Sequence, residues 1–116
     1  ISFKNSIKEI QELAFFNCES IEDVILPKGL TKIGKCAFFN TNIEELELPA
    51  SIKKIDSNAF EDCKNLNTIY AHKNDELVID CEHAKENIKF LNTIENMLDS
   101  GRTFKQINQI YKELGR

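Results

Sequence analysis

The sequence predicts an α/β solenoid, a coil of short strands and tight turns closed at its C-terminal end by a helical hairpin. Three observations predict it. The phrase LAFFNC at residues 13–18 returns as CAFFNT at 36–41. Apolar residues recur at matched offsets through three successive units of 22 to 23 residues. Beyond residue 74 that period gives way to the apolar spacing of amphipathic helices. A unit this short cannot bury its apolar side alone, so stacked copies must share one interior.

The first element is a half repeat, residues 1–6. ISFKNSI aligns with VILPKGL at 24–30, which places Ile1 and Phe3 at the inward positions of a strand. The expectation is a chain that begins in mid-repeat, the C-terminal fragment of a longer array, with an unpaired strand edge at its N-terminal end. Repeats follow at 7–29, 30–51 and 52–74. Each opens on an extended segment carrying Ile10, Ile33 or Ile55, then makes one helical turn around an Ala-Phe pair. Phe15, Phe38 and Phe60 should therefore form a column inside the coil. Each repeat ends in a strand, IEDVILP at 21–27, IEELELP at 43–49 and a decayed LNTIYAH at 66–72. Alternation puts Val24 and Leu26, and Leu46 and Leu48, inward and leaves Ile25 and Glu47 outward. Pro27 and Pro49 stop the strands because proline has no N–H for the ladder.

The last element, residues 75–116, is expected to be a strand plus a two-helix cap. ELVID at 76–80 supplies the strand, and the run from Glu82 to Leu98 places Ile88, Leu91, Ile94 and Leu98 at helical spacing. A turn, DSG, follows. Thr103 and Gln106 then form a capping-box pattern opening a second helix with Phe104, Ile107, Tyr111 and Leu114 on one side. Such a hairpin would seal the last repeat. A DNA-reading helix pair is the sharper alternative, but Lys105, Lys112 and Arg116 are thinly spread and offset by Glu113.

These repeats resemble the BspA-like class of leucine-rich repeats, whose units read roughly LPxSLxxIxxxAFxxCxxLxxI. LPASIKKIDSNAFEDCKNLNTI at 48–69 follows that pattern closely, and the resemblance runs from residue 1 to about 74. Thr41 departs from it where Cys is expected, as do Ala71 and His72 where Leu-Pro is expected. The resemblance implies a right-handed coil with short parallel strands on a concave face, in proteins that are mostly surface-exposed, adhesive and non-catalytic. It carries the expectation of a cell-surface or extracellular location.

Composition narrows the function classes. A net charge of −4 gives no general attraction for nucleic acid, and no apolar run approaches the roughly 20 residues that cross a bilayer. Cys18, Cys36, Cys63 and Cys81 are even in number, but the register sets Cys18 and Cys63 two layers apart, roughly 10 Å and beyond disulfide reach. They read as small buried apolar residues, with a Cys63–Cys81 bridge left open. Cys81, His83 and His72 lack paired metal-ligand spacing, and neither a cofactor nor a catalytic constellation is expected.

The outward positions of the repeat-ending strands form three rows: Glu22, Glu44 and Asn67; Asp23, Glu45 and Thr68; and Ser2, Ile25, Glu47 and Tyr70. Five carboxylates gather on two adjacent strands. The other extended segments lean basic, with Lys8, Thr31 and Lys53 in one row and Glu9, Lys32 and Lys54 in another. The expected contact face is therefore Glu22, Asp23, Ile25, Glu44, Glu45, Glu47, Asn67, Thr68 and Tyr70, meeting a protein partner with a basic surface. Self-association through the tail or the open N-terminal edge is a further expectation. The rival is a structural spacer segment of a larger surface protein, in which the carboxylates serve only solubility.

Overall fold

The computed structural model describes residues 1–72 and 76–90. Its elements are short: β1 (Glu9–Ile10), β2 (Lys32–Ile33), β3 (Glu45–Glu47), β4 (Lys54–Ile55), β5 (Thr68–Ala71), β6 (Val78–Ile79), α1 (Glu82–Asn87) and β7 (Ile88–Phe90). All strand pairs are parallel, in two sheets ordered β1-β2-β4-β6 and β3-β5-β7. Ile10, Ile33, Ile55 and Ile79 fall in register in the first sheet, and Leu46, Ile69 and Ile88 in the second. An isolated bridge between Ser2 and Ile25 seats the half repeat on the same side. The chain thus returns to the same place once per repeat, a solenoid-like arrangement of parallel strands.

The interior follows from that return. Phe15 and Phe38 stack with ring centroids 5.3 Å apart, and Phe38 and Phe60 at 5.6 Å. Phe3 closes the column edge-on, 5.6 Å from Phe15. Phe38, Phe60, Leu30, Ile33, Ile55 and Ile69 are fully buried around it. Cys63 is fully buried, while Cys18, on the first turn, is only half-buried. Between them Thr41 holds the middle place, its hydroxyl 3.3 Å from the Cys63 sulfur. All four cysteines are free thiols, so the bridge left open between Cys63 and Cys81 is not formed.

The turns depend on left-handed backbone at two positions per repeat. Asn17, Asn40 and Asp62 have φ of 60°, 54° and 59°, and these residue types tolerate that region. Leu13, Cys36 and Asn58 hold φ of 61°, 55° and 58°, and only the third repeat places a tolerant residue there. A branched side chain costs about 1–2 kcal/mol in this conformation. Leu13 is also 53% exposed, so little packing is lost on replacing it. Leu13→Asn is therefore expected to raise stability by about 1 kcal/mol, read as a higher urea midpoint with an unchanged slope.

The strand expected within residues 76–80 is present as β6, and the tail departs from expectation in two other respects. Both ladders continue past residue 74, through β6 on β4 and β7 on β5. The helix expected from Glu82 to Leu98 stops at Asn87, and Ile88 to Phe90 form a strand instead. Six helical residues gain little on their own, and the Asn87 side-chain amide donates to the His83 carbonyl at 2.8 Å, occupying a late acceptor of the helix. Pairing with β5 gives the next residues a complete backbone partner, and Ile88 reads equally well at strand spacing. The remainder of that helix and the helix opening at Thr103 lie outside the described residues, and with them the closing hairpin.

Candidate binding face

Strand alternation places the candidate residues. In β3, Leu46 is buried while Glu45 and Glu47 point outward and are exposed. One turn earlier Val24 is buried between the exposed Asp23 and Ile25, with Ile25 71% exposed. The register joins Glu45 to Thr68 and Glu47 to Tyr70, and Lys89 of β7 lies beside Tyr70. Exposure then divides the expected set. Glu22, Asp23, Ile25, Glu44, Glu45, Glu47 and Asn67 are exposed, whereas Thr68 and Tyr70 are 8% and 7% accessible. Those two lie in a strand buried at all four positions, so they support the face without presenting a surface. The expectation that they point to solvent is corrected: alternation puts them on the outer side of β5, yet neighbouring chain covers that side.

Beside the strands runs a groove of about 290 Å³, lined by Glu22, Asp23, Asn42, Glu44, Glu45 and Asn65. Its lining includes an amide pair, in which the Asn65 side chain donates to the Asn42 side chain at 2.6 Å. Sequence reasoning missed these asparagines. The available signal was their equal placement just before the apolar position of each strand, Ile43 and Leu66.

The lysine side of the coil makes its own ion pairs. Lys32 and Lys54 both approach Asp56, at 3.8 and 3.7 Å, and Lys54 reaches Asp80 at 3.8 Å. These exposed pairs contribute little to stability. Burial drives the Glu47 carboxyl up to about 7. It also drives the Tyr70 hydroxyl up to about 12, with the charge of Glu45 adding to the effect.

The Glu47 shift has a defined sign. Because the folded value lies above the ordinary one, the fold favours the protonated acid. That contribution is complete below about 4.5 and is lost as pH rises through about 7. Glu47 as a whole is exposed, so water screens part of the effect and its size is on the order of 0.5 kcal/mol. Glu47→Gln is expected to be more stable than the wild type at pH 8 and indistinguishable from it at pH 4.5, as thermal melts at the two values will show.

Among the described residues no group of three or more His, Cys, Asp or Glu side chains converges on a metal position. His83 instead turns to the backbone, its Nε2 lying 3.0 Å from the Cys63 carbonyl. Nor is any described helix long and apolar enough to cross a membrane.

Compared with known proteins, the chain matches the family model of the BspA type leucine rich repeat region, in six copies across residues 1–110. The match extends well beyond residue 74, in agreement with the two ladders. No curated protein and no solved structure matches the chain.

Proposed function

Because the chain belongs to the BspA-type leucine-rich-repeat family, a class of interaction and scaffold modules, we propose that it is a non-enzymatic binding module that captures a protein partner through its acidic face. One observation carries this reading. Glu22, Asp23, Glu44, Glu45 and Glu47 are all exposed on two successive strand segments, and the first four border one groove. Stacked carboxylates about 5 Å apart repel by roughly 1 kcal/mol per pair in water. A cationic surface converts that repulsion into attraction and speeds encounter at low salt. Ile25, the most exposed large apolar residue among those described, adjoins the carboxylates and adds a patch that leaves water on docking. The Asn42–Asn65 pair supplies directional hydrogen bonding within the same groove. Surface location and an adhesive role agree with the family's common setting and form part of this proposal.

The test is charge reversal at Glu44, Glu45 and Glu47, with adhesion of wild type and variant to an immobilised basic protein measured across a salt series. Retention by the wild type that fades with salt, and its loss in the triple Lys variant, is the expected result. Equal retention of both proteins would remove the binding role and leave a spacer that holds other modules apart.

A further inference from the structure

Ile25 lies inside the stack, with a layer on either side. A parallel bridge to Ser2 joins it to the layer before. On the other side the Asn42 N–H donates to the Ile21 carbonyl at 2.9 Å, which sets the segment 43–47 beside 21–25. Glu47 then holds the offset of Ile25 one repeat later. Burial of Val24 and Leu46 turns Asp23 and Ile25, and likewise Glu45 and Glu47, to the same outer side. Three carboxylates therefore surround one apolar side chain. Asp23 lies two residues back along the same strand, about 6.6 Å, Glu47 lies about 4.8 Å across in the next layer, and Glu45 stands on the diagonal.

The fold does not need an isoleucine at this offset. Ser2 and Glu47 occupy it in the neighbouring layers, and Ile25 itself is too exposed to add much to the interior. A lone exposed apolar residue is ordinary on a protein surface. What distinguishes Ile25 is the set of carboxylate oxygens around a patch that holds water weakly. The two strongly cationic side chains respond differently to such a patch. Arginine carries a planar, weakly hydrated guanidinium with five N–H donors along its edge, whereas the lysine ammonium is a compact and strongly hydrated charge. An arginine can lay its stem and the face of its guanidinium on Ile25 while its edge donates to carboxylates on either side. A lysine that reaches the same carboxylates keeps its water and gains little from the isoleucine.

We propose, resting on the acidic-face reading above, that this sheet face takes an arginine side chain of the protein partner in preference to lysine, with Ile25 as the residue that sets the choice. Charge complementarity selects a cation. The apolar centre then selects the cation that has a weakly hydrated face. The partner is thereby narrowed from any basic surface to a protein segment that presents arginine.

Isothermal titration calorimetry at low salt tests the proposal with two capped glycine-serine peptides of equal length, bearing the same number of arginines or of lysines. The full chain is expected to bind the arginine peptide at least about tenfold more tightly, the effect of about one further charge-assisted hydrogen bond. Ile25→Ser installs the residue that Ser2 provides at this offset in the preceding layer. It should bring the two affinities to within about twofold of each other while the circular dichroism spectrum stays unchanged, and Ile25→Val should keep the preference. Equal affinity of the wild type for both peptides would overturn the arginine preference and leave the acidic face standing as a binding surface. A preference that survives undiminished in Ile25→Ser would overturn the role of Ile25. Binding of neither peptide would remove the acidic-face reading and the arginine preference together.

Discussion

Phe38→Ala is expected to cost about 3–5 kcal/mol, the range for removing a fully buried aromatic side chain. Phe38 is completely inaccessible and, among the described residues, is the only ring of the column stacked face to face on both sides, against Phe15 at 5.3 Å and Phe60 at 5.6 Å. Its loss opens a cavity shared by two inter-repeat contacts, and in a stack where each repeat touches only its neighbours both contacts weaken together. A small domain has about 5–15 kcal/mol in total, so the variant should melt near or below ambient temperature. Urea denaturation followed by circular dichroism measures the difference. Phe15→Ala is the internal comparison, because Phe15 is half-buried and stacks face to face on one side alone. Its cost should be clearly smaller. Equal costs at the two positions would mean that the column does not behave as a stack with an interior and an end.

The column itself was legible in the sequence, and the reason is physical. Residues returning once per repeat lie above one another, so Ala14-Phe15, Ala37-Phe38 and Ala59-Phe60 announce a shared interior without any further information. The strand rows were legible on the same ground, and the structure confirms Glu45 beside Thr68 and Glu47 beside Tyr70. What the period does not encode is the depth at which each row lies. Tyr70 has the outward parity of Glu47, yet its strand is buried throughout because other parts of the chain cover it. The tail shows the complementary failure. Ile88 satisfies helical spacing with Leu91 and strand spacing with Phe90, and local pattern cannot decide between them. The free edge of β5 decides, and that edge is visible only once the repeats are stacked. The Asn42–Asn65 pair belongs to the same class, since two isolated asparagines acquire meaning only when the coil brings them to 2.6 Å.

A second large effect is expected at Gly34, where the requirement is for space alone. A Cβ built there would lie 2.6 Å from the Glu12 nitrogen, 2.8 Å from the Gln11 carbonyl carbon and 2.9 Å from the Ile10 oxygen. All three are backbone atoms of the first repeat, so no side-chain rotation relieves the contact. The same glycine donates the 2.7 Å hydrogen bond to Ile10 that joins the first two repeats. Gly34→Ala must therefore push these layers apart, at a cost of about 1–3 kcal/mol. Gly29→Ala is the control, because there the obstacle is the flexible end of Lys8, which can swing aside. That variant should stay within about 0.5 kcal/mol of the wild type. Hydrogen exchange locates the damage: in Gly34→Ala the amides of Phe15, Thr31 and residue 34 should lose protection while Lys53 and Phe38, which bridge the next interface, keep theirs. Loosening the first layer also shifts Glu22 and Asp23 away from Glu44 and Glu45, so under the proposed binding role Gly34→Ala should weaken retention on a basic protein although no carboxylate has been changed. A Gly34→Ala protein with wild-type protection at Phe15 would show that the first two layers do not need this close approach.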